Sequence, residues 1–592
     1  MTMNKQNNEH NPVPNFYRAS AQDFKKIPGN PIAYWVSDRV RKIFAEGKPL
    51  GEIAEVRKGM VTAQNNVYVR NWYELNIKNN GLDRYFSREE AKESQKKWFS
   101  YLKGGGYRKF YGNKLEVLNW ENDGKQLQTK MHPTENRVWA TNFNLEYIFK
   151  PNINWGAVTS SEFSARISLG GELFDAGGSA CFPMTKDSEI ILGFLNSKVS
   201  NALLNSLNPT LNFQAGNIGN LPVEWTNVKG IAQQLINLSR TDWDSYEISW
   251  DFQNLPLLEE SYRRSTFAAT YSALREHWKD ITLEMQRLEE ENNRLFIEAY
   301  GLEEELASEV PLQEITLTCN PYYRYGKAAA VQTGFPEDGD LEKRLRNDTV
   351  REFLSYAVGC MMGRYSLDHP GLILANAGEG LGAYWQCVGI GENEARFVPD
   401  KDGIIPLLDD EWLADDIVAR TREFVSAAFG AEHLQENMRF IEEALGKDLR
   451  KYFLTDFYKE HLQTYKKHPI YWLVQSPRKG FSCLIYLHRY TRDTMNVVLN
   501  RYLRDYQNKL HHHINHLRHT ETSAATPREK AAAIKETERL QKVLHECEEW
   551  ERKTILPLAQ ARVDLDLDDG VKVNYQKLGK ALAPIAGMGK EE

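Results

Sequence analysis

The chain of 592 residues has six cysteines, and no two of them form a CxxC pair. That scarcity argues against a zinc ribbon and against a disulfide framework, and it fits a reducing compartment. There is no run of about 18 apolar residues, so no membrane-spanning helix is expected. The first residues, MTMNKQNNEHNPVPNF, are polar and lack the apolar core of a secretory leader. Neither sign of charge dominates: 74 Lys+Arg against 81 Asp+Glu leave a net charge of −7. A globally basic nucleic-acid binder is thereby excluded, but a locally basic one is not. No Walker, HExxH or Ser/His/Asp pattern is present. What is present is a chain 41% hydrophobic and 26% charged, able to bury a sizeable core. A cytoplasmic protein of about three or four domains is expected.

Charge is divided along the chain. Residues 1–230 hold 29 Lys+Arg against 22 Asp+Glu, a net of +7, and the remainder carries −14. A positive first part joined to a negative second part suggests two different roles. The first part reads as mixed α+β. Apolar spacing at Ile32, Trp35, Val36, Val40 and Phe44 predicts a helix over 31–44. Short runs broken by Gly and Asn follow (EIAEVRKGMVT, NVYVRNWYEL, LEVLNW, INWGAVT, ARISLGGELF), the pattern of a β-rich domain. Helical spacing returns over 190–204, and the stretch after it reads as a loop ending at Leu221-Pro222.

From about Ser265 to Leu306 there is no proline, and Leu274, Trp278, Ile281, Met285, Leu288, Leu295 and Ala299 step at near-heptad intervals. That predicts one long helix. Residues 345–480 read as helical patches, with Asp409-Asp410 and Asp415-Asp416 at helix starts. A helical hairpin is expected from Thr494 to about Ala561, broken at HTETSAATPREK, with Thr526 as N-cap and Pro527 in the first turn. The expected fold class is α+β. Its parts are a flexible N-terminus (1–23), a β-rich domain (24–230), a helical spacer (231–310), a mainly helical domain (311–490), a helical hairpin (491–563) and a tail (564–592).

Four patterns invite a chemical reading. Residues 84–130 carry 11 Lys+Arg against 6 Asp+Glu, interleaved with Tyr85, Phe86, Trp98, Phe99, Tyr101, Tyr107, Phe110, Tyr111 and Trp120. Cations can neutralise phosphates, and aromatic or amide side chains can meet bases; the plainer reading is a solvated face over an aromatic core. Asn320-Pro321-Tyr322-Tyr323 approaches the Asn-Pro-Pro-aromatic string of amino-methylating enzymes, but its third residue is Tyr, and a loop after a strand is the better reading. Asn208-Pro209-Thr210-Leu211 departs further. The glycines at 378, 380, 382, 389 and 391 read as turns. The histidines at 511, 512, 513, 516 and 519 read as a solvated stripe, because no carboxylate or cysteine completes a metal set.

Several longer strings carry a resemblance. IPGNPIAYWVSDRV, GEIAEVRKGMVTAQNN, KKWFSYLKGGGYRKFYGN, VLNWENDG and ILGFLNSKVSNALLNSLNPTLNFQAGNIGNLPV are joined further on by SYAVGCMMGRYSLDHPG, DDEWLADDIV, HPIYWLVQSPRKGF and DLDDGVKVNY. Together, and in this order over about residues 15–580, they resemble the C-terminal portion of the PglX family, the adenine-specific DNA methyltransferases of bacterial BREX phage-defence systems. The string ending in GNLPV is also similar to the closing segment of target-recognition domains in restriction–modification specificity subunits. The resemblance implies that the β-rich domain is a target-recognition domain and that the chemistry lies outside this chain. S-adenosylmethionine would serve the complete enzyme, with no cofactor held here. The implied partners are double-stranded DNA, a methyltransferase catalytic domain in another chain or missing half, and other BREX proteins; no membrane is implied.

Charge excess with interleaved aromatics singles out Lys96, Lys97, Lys103, Arg108, Lys109 and Lys114 as expected phosphate or base donors, and Trp98, Tyr107 and Asn119 as shape or base readers. A rival reading is a helical scaffold that docks other defence proteins, with DNA contact secondary. A free-standing methyltransferase is a third reading, and it requires a cofactor site for which the sequence shows no motif.

Overall fold

Among the described residues, turn-punctuated runs of β-branched and aromatic residues give ten short strands in the first part of the chain. The computed structural model describes residues 25–159, 162–208, 212–326, 339–523 and 526–588, with Ser20, Gln22 and Thr210. The expected flexible N-terminus, apart from Ser20 and Gln22, lies outside the described residues, as do Pro209 and Leu211. The chain divides into two compact units: residues 1–72, 79–249 and 275–342 form one, and residues 73–78, 250–274 and 343–592 form the other.

In the first unit the strands are β1 (Lys48–Pro49), β2 (Ala54–Arg57), β3 (Val69–Asn71), β4 (Trp98–Leu102), β5 (Glu116–Asn119), β6 (Asn152–Trp155), β7 (Ala165–Ser168), β8 (Leu173–Phe174), β9 (Ala180–Pro183) and β10 (Pro222–Val223). They build one sheet in the order β2-β9-β6-β7, a second in the order β3-β5-β4-β8, and a β1-β10 pair. All pairings are antiparallel except that of β4 with β8. Met60, Phe99, Tyr101, Leu118, Trp120, Phe149, Phe174 and Phe182 form the buried aromatic core. Where the two sheets' connecting loops meet, glycine is required: a Cβ on Gly178 would lie 2.4 Å from the Leu102 carbonyl oxygen.

Helix boundaries follow capping chemistry. Helix α1 spans Asp38–Glu46, shorter than the 31–44 reading, because Ser37 caps it by accepting the Val40 N–H at 3.1 Å. Ile32 and Trp35 consequently lie outside the helix and are exposed. The 190–204 tract is two helices, α2 (Ser188–Leu195) and α3 (Lys198–Leu207). Asn196 breaks them by binding both backbone groups of Ala165, and Ser197 caps the second. Leu221-Pro222, expected in a loop, leads directly into the buried strand β10. Helix α4 (Lys229–Asp244) precedes the long helix α5 (Phe267–Tyr300), whose 34 residues extend about 51 Å at 1.5 Å each.

The second unit contains helices α6 (Gly339–Met361), α7 (Leu381–Val388), α8 (Ile417–Phe429), α9 (Arg504–Ser523) and α10 (Pro527–Trp550), although the first four residues of α6 fall in the first unit. Asp416 caps α8 by accepting the Val418 N–H at 2.9 Å. Asp409-Asp410 start no helix; Asp409 instead pairs with Arg539 at 2.7 Å. The hairpin α9–α10 forms as the sequence predicts, with Thr526 and Glu529 in a reciprocal capping box and Pro527 in the first turn. The glycines at 380 and 389 cap α7 at its two ends. Absent from the sequence reading is an antiparallel sheet of β11 (Ile404–Pro406), β12 (Tyr471–Gln475) and β13 (Ser482–Tyr486), in the order β11-β13-β12. Its Trp472, Val474, Cys483 and Ile485 lie in the core that α9 and α10 cover with Leu510, Ile514, Leu540 and Trp550.

Candidate nucleic-acid interface

The nine residues singled out in the sequence separate into two groups. Arg108, Lys109 and Lys114 are buried, at 3%, 4% and 5% exposure. Their charges are matched inside the first unit, so the expectation that they face solvent is corrected. Arg108 binds Asp242 of α4 at 2.7 Å and Thr318 Oγ1 at 2.9 Å, and its Nε donates to the Tyr111 carbonyl at 2.9 Å. Lys109 pairs with Glu289 of α5, and Lys114 lies 2.8 Å from both Asp83 and Glu172. A buried cation needs such partners because desolvation otherwise costs several kcal/mol, on the order of the whole domain's stability. Arg108 and Lys109 therefore hold the β-rich layer to its helices, and Lys114 ties together two loops within it.

The Lys114 site has two carboxylates for one ammonium. Burial, and behind it the carboxylate of Asp83, pushes Glu172 up to about 7 against the pull of Lys114. A carboxyl raised in the folded state contributes stability that is complete below its unfolded value and is lost as pH rises through the folded one. Wild-type stability of this unit is therefore expected to fall between about pH 5 and 8. Glu172→Gln, which is neutral throughout, should flatten that fall, as chemical denaturation at several pH values would show.

Five of the other six lie nearer the surface, and Trp98, at 1% exposure, is buried more fully than the three cations. Lys96, Lys97, Lys103, Tyr107 and Asn119 are half-buried, and Trp98 is buried with its ring beside cations. Lys97 Nζ lies 5.6 Å from the Trp98 ring centroid, and the Arg70 guanidinium lies 5.6 Å away as well. The strand order brings these together, since β5 pairs with β3, which carries Arg70, and with β4, which begins at Trp98. Lys103 begins the glycine-rich turn that follows β4, where it makes no ion pair with a described residue. Tyr107 accepts a hydrogen bond from the Tyr323 hydroxyl on its carbonyl at 2.5 Å, and Asn119 Oδ1 accepts the Glu121 N–H at 3.2 Å.

Around Tyr68 the structure adds groups that periodicity did not single out. The segment 58–66 runs from exposed Lys58 through Met60 and Val61, which pair with Asp175 and Thr141, to a single helical turn, Asn65–Tyr68. Ala63 holds a left-handed φ of 61° there. Thr62 donates to Asn65 Oδ1 at 2.5 Å and secures the turn. A hairpin over 130–139 adjoins it, closed by Trp139 N–H to the Lys130 carbonyl and by His132 N–H to the Arg137 carbonyl. Lys130 Nζ donates to Gln64 Oε1 at 2.6 Å and lies 5.7 Å from the Tyr68 ring and 5.5 Å from the Trp139 ring. Arg57 and Lys150 flank Tyr147 at 5.3 and 5.1 Å. Neighbouring acids are partly engaged: Glu55 pairs with Arg57, and Glu135 with Arg137 at 2.5 Å. The result is a surface of cations over aromatic rings beside an amide-rich turn, a combination suited to phosphates and base edges.

The other patterns resolve as structural. Asn320 is fully buried; its Nδ2 donates to the Leu312 and Ile315 carbonyls at 2.7 and 2.9 Å, and its Oδ1 accepts the Tyr322 N–H at 3.1 Å. With its amide so engaged it caps the helix Pro321–Tyr325 and has no group left to meet a target base. Among the described residues β4 and β8 are the only named strands that pair in parallel. His511 lies 3.3 Å from Glu548, and no group of three potential metal ligands occurs among the described residues. No helix among them is long and apolar enough to cross a membrane.

Over nearly its whole length the chain is related to adenine-specific methyltransferases. It is 35% identical over 600 residues to the adenine-specific methyltransferase PglX of Lacticaseibacillus casei (strain Zhang), a match covering 97% of this chain and 47% of that protein. It is 34% identical over 603 residues to the adenine-specific methyltransferase BrxX of Escherichia coli O9:H4 (strain HS), covering 99% and 47% respectively. The chain thus spans about half the length of the curated relatives it matches. No family model matches it.

Proposed function

We propose that the first unit is the DNA-recognition part of an adenine-N6 methyltransferase assembly in BREX phage defence. It holds a duplex while the methyl transfer from S-adenosylmethionine is carried out by a part of the assembly corresponding to what the relatives possess beyond the match. The observation that carries this reading is two sets of cations over rings in the positive part of the chain, Arg70 and Lys97 at Trp98 and Lys130 between Tyr68 and Trp139, with exposed Lys58 on the segment that leads to Tyr68. Cations there would neutralise phosphates, and the ring-flanked, partly desolvated setting would fix their direction.

The test is duplex binding by the whole chain, read by fluorescence anisotropy with a 30-base-pair probe. Lys58→Glu, Lys97→Glu and Lys130→Glu together are expected to weaken binding by at least about ten-fold and to lower the salt slope by about two to three. Unchanged affinity and slope would remove this surface from the account. Arg108 and Lys109 are unsuited to such a variant, because reversing a buried charge unfolds the unit rather than probing DNA.

A further inference from the structure

Several amides lie on the first unit's surface, and most are engaged. Asn142 and Asn144 donate to the carbonyls of Leu127 and Lys58, and Asn113 donates to that of Gly106. In the turn itself the carbonyl ends of Gln64 and Asn65 are taken, by the Lys130 ammonium and by the Thr62 hydroxyl. Each of these two side chains can still donate, but its oxygen is already accepting. Asn66 differs. Its side chain is exposed, and neither its Oδ1 nor its Nδ2 bonds to a described residue.

Its position is set from both sides. Arg70 Nη1 donates to the Asn66 backbone carbonyl at 2.7 Å and to that of Val69 at 2.8 Å. Two residues earlier, Gln64 is tied to Lys130, so the turn that carries the amide is held by a cation at each end. The left-handed Ala63 and the Thr62–Asn65 bond fix the direction of the turn. A free carboxamide on a turn held by two phosphate-seeking cations matches the requirement for adenine in a major groove: Oδ1 accepts from N6–H and Nδ2 donates to N7.

We infer that Asn66 is the side chain of this surface that reads an adenine edge. The inference rests on the reading of this surface as the DNA interface. Asn66 would thus set sequence preference at one base pair, while Arg70, Lys97 and Lys130 position the backbone and carry no sequence information. Asn66 is a specificity residue, distinct from any group that performs methyl transfer.

The test uses the whole chain and a duplex library with a randomised 20-base-pair core. Wild type should select an adenine at one position that Asn66→Ala ceases to distinguish, with discrimination there falling about ten-fold or more while total DNA binding persists. Asn66→Asp, which only accepts, should shift that position toward cytosine. At the selected position, 7-deazaadenine lacks the N7 acceptor; it should weaken wild type about ten-fold and leave Asn66→Ala unchanged. If Asn66→Ala selects the same sequence and shows the same 7-deazaadenine penalty, the assignment of Asn66 is overturned while the DNA interface stands. If wild type binds the library without base preference, the assignment is likewise overturned. If it binds no duplex, both fail.

Discussion

Replacing Asp242 by Ala is expected to destabilise the first unit by about 3–5 kcal/mol. Asp242 is 4% exposed and accepts three hydrogen bonds: from Arg108 Nη2 at 2.7 Å, from the Thr318 N–H at 2.7 Å and from the Cys319 N–H at 3.0 Å. Removing it strands a buried guanidinium and two backbone donors at once. Arg108 has other acceptors, Thr318 Oγ1 and the Tyr111 carbonyl, and its guanidinium lies 5.1 Å from the Trp243 ring, but none of these carries a countercharge. Asp242→Asn keeps an acceptor and the side-chain shape, so its cost should be smaller. A double variant, Arg108→Met with Asp242→Leu, should be less destabilised than the two single changes added together, because it removes both desolvated charges. Urea denaturation followed by tryptophan fluorescence reads the wild type, the single variants and the double variant. Additive losses would show that the pair is not coupled.

The second large effect concerns acid. In the second unit His461 and His488 are buried at 4% and 1% exposure, and burial, aided by the nearby Arg364, pushes each down to about 3. The geometry of His461 agrees: its Nε2 accepts the N–H groups of Ile470 and Tyr471 at 3.2 and 3.1 Å, so it must be unprotonated. A base lowered in the folded state contributes stability that is complete above its unfolded value, about 6.5, and is lost as pH falls toward the folded one. The unfolded chain then takes up protons that the folded chain cannot. The expected loss is about 1.4 kcal/mol per pH unit for each histidine between pH 6.5 and 4. Asp402 opposes it in part: burial, then Asp400, pushes this partly exposed carboxyl up to about 7. Denaturation midpoints of the second unit should therefore drop below pH 6.5, whereas Glu172 makes the first unit gain. His461→Gln should reduce the second unit's slope, and an unchanged slope would exclude His461 as its source.

Much of the helical architecture was legible because its determinants are local. The heptad-like spacing from Leu274 to Ala299 marks α5, and Thr526, Pro527 and Glu529 mark the start of α10 within four residues. The sheet of β11, β12 and β13 was missed although YWLVQ and SCLIY are rich in β-formers, since both its faces are buried and the strands show little polar alternation. The basic segment was legible as a cluster, but its division was not. Arg108 and Lys109 meet carboxylates 134 and 180 residues away, a separation that no local pattern reveals. Lys97 and Trp98 were singled out in the sequence. The β3–β5–β4 order sets Arg70 beside Trp98, and the 130–139 hairpin sets Lys130 against Gln64, Tyr68 and Trp139, pairings that no local pattern reveals.

The location of bound DNA is the most direct test of the account. A duplex carrying 5-iodouracil at successive positions can be photo-crosslinked to the whole chain and the attached peptides identified by mass spectrometry. Crosslinks are expected in peptides spanning 58–70 and 130–139, near Tyr68, Trp139 and Asn66. Crosslinks confined to residues 343–592, with the first unit unlabelled, would contradict it and favour a scaffold whose DNA contact lies elsewhere.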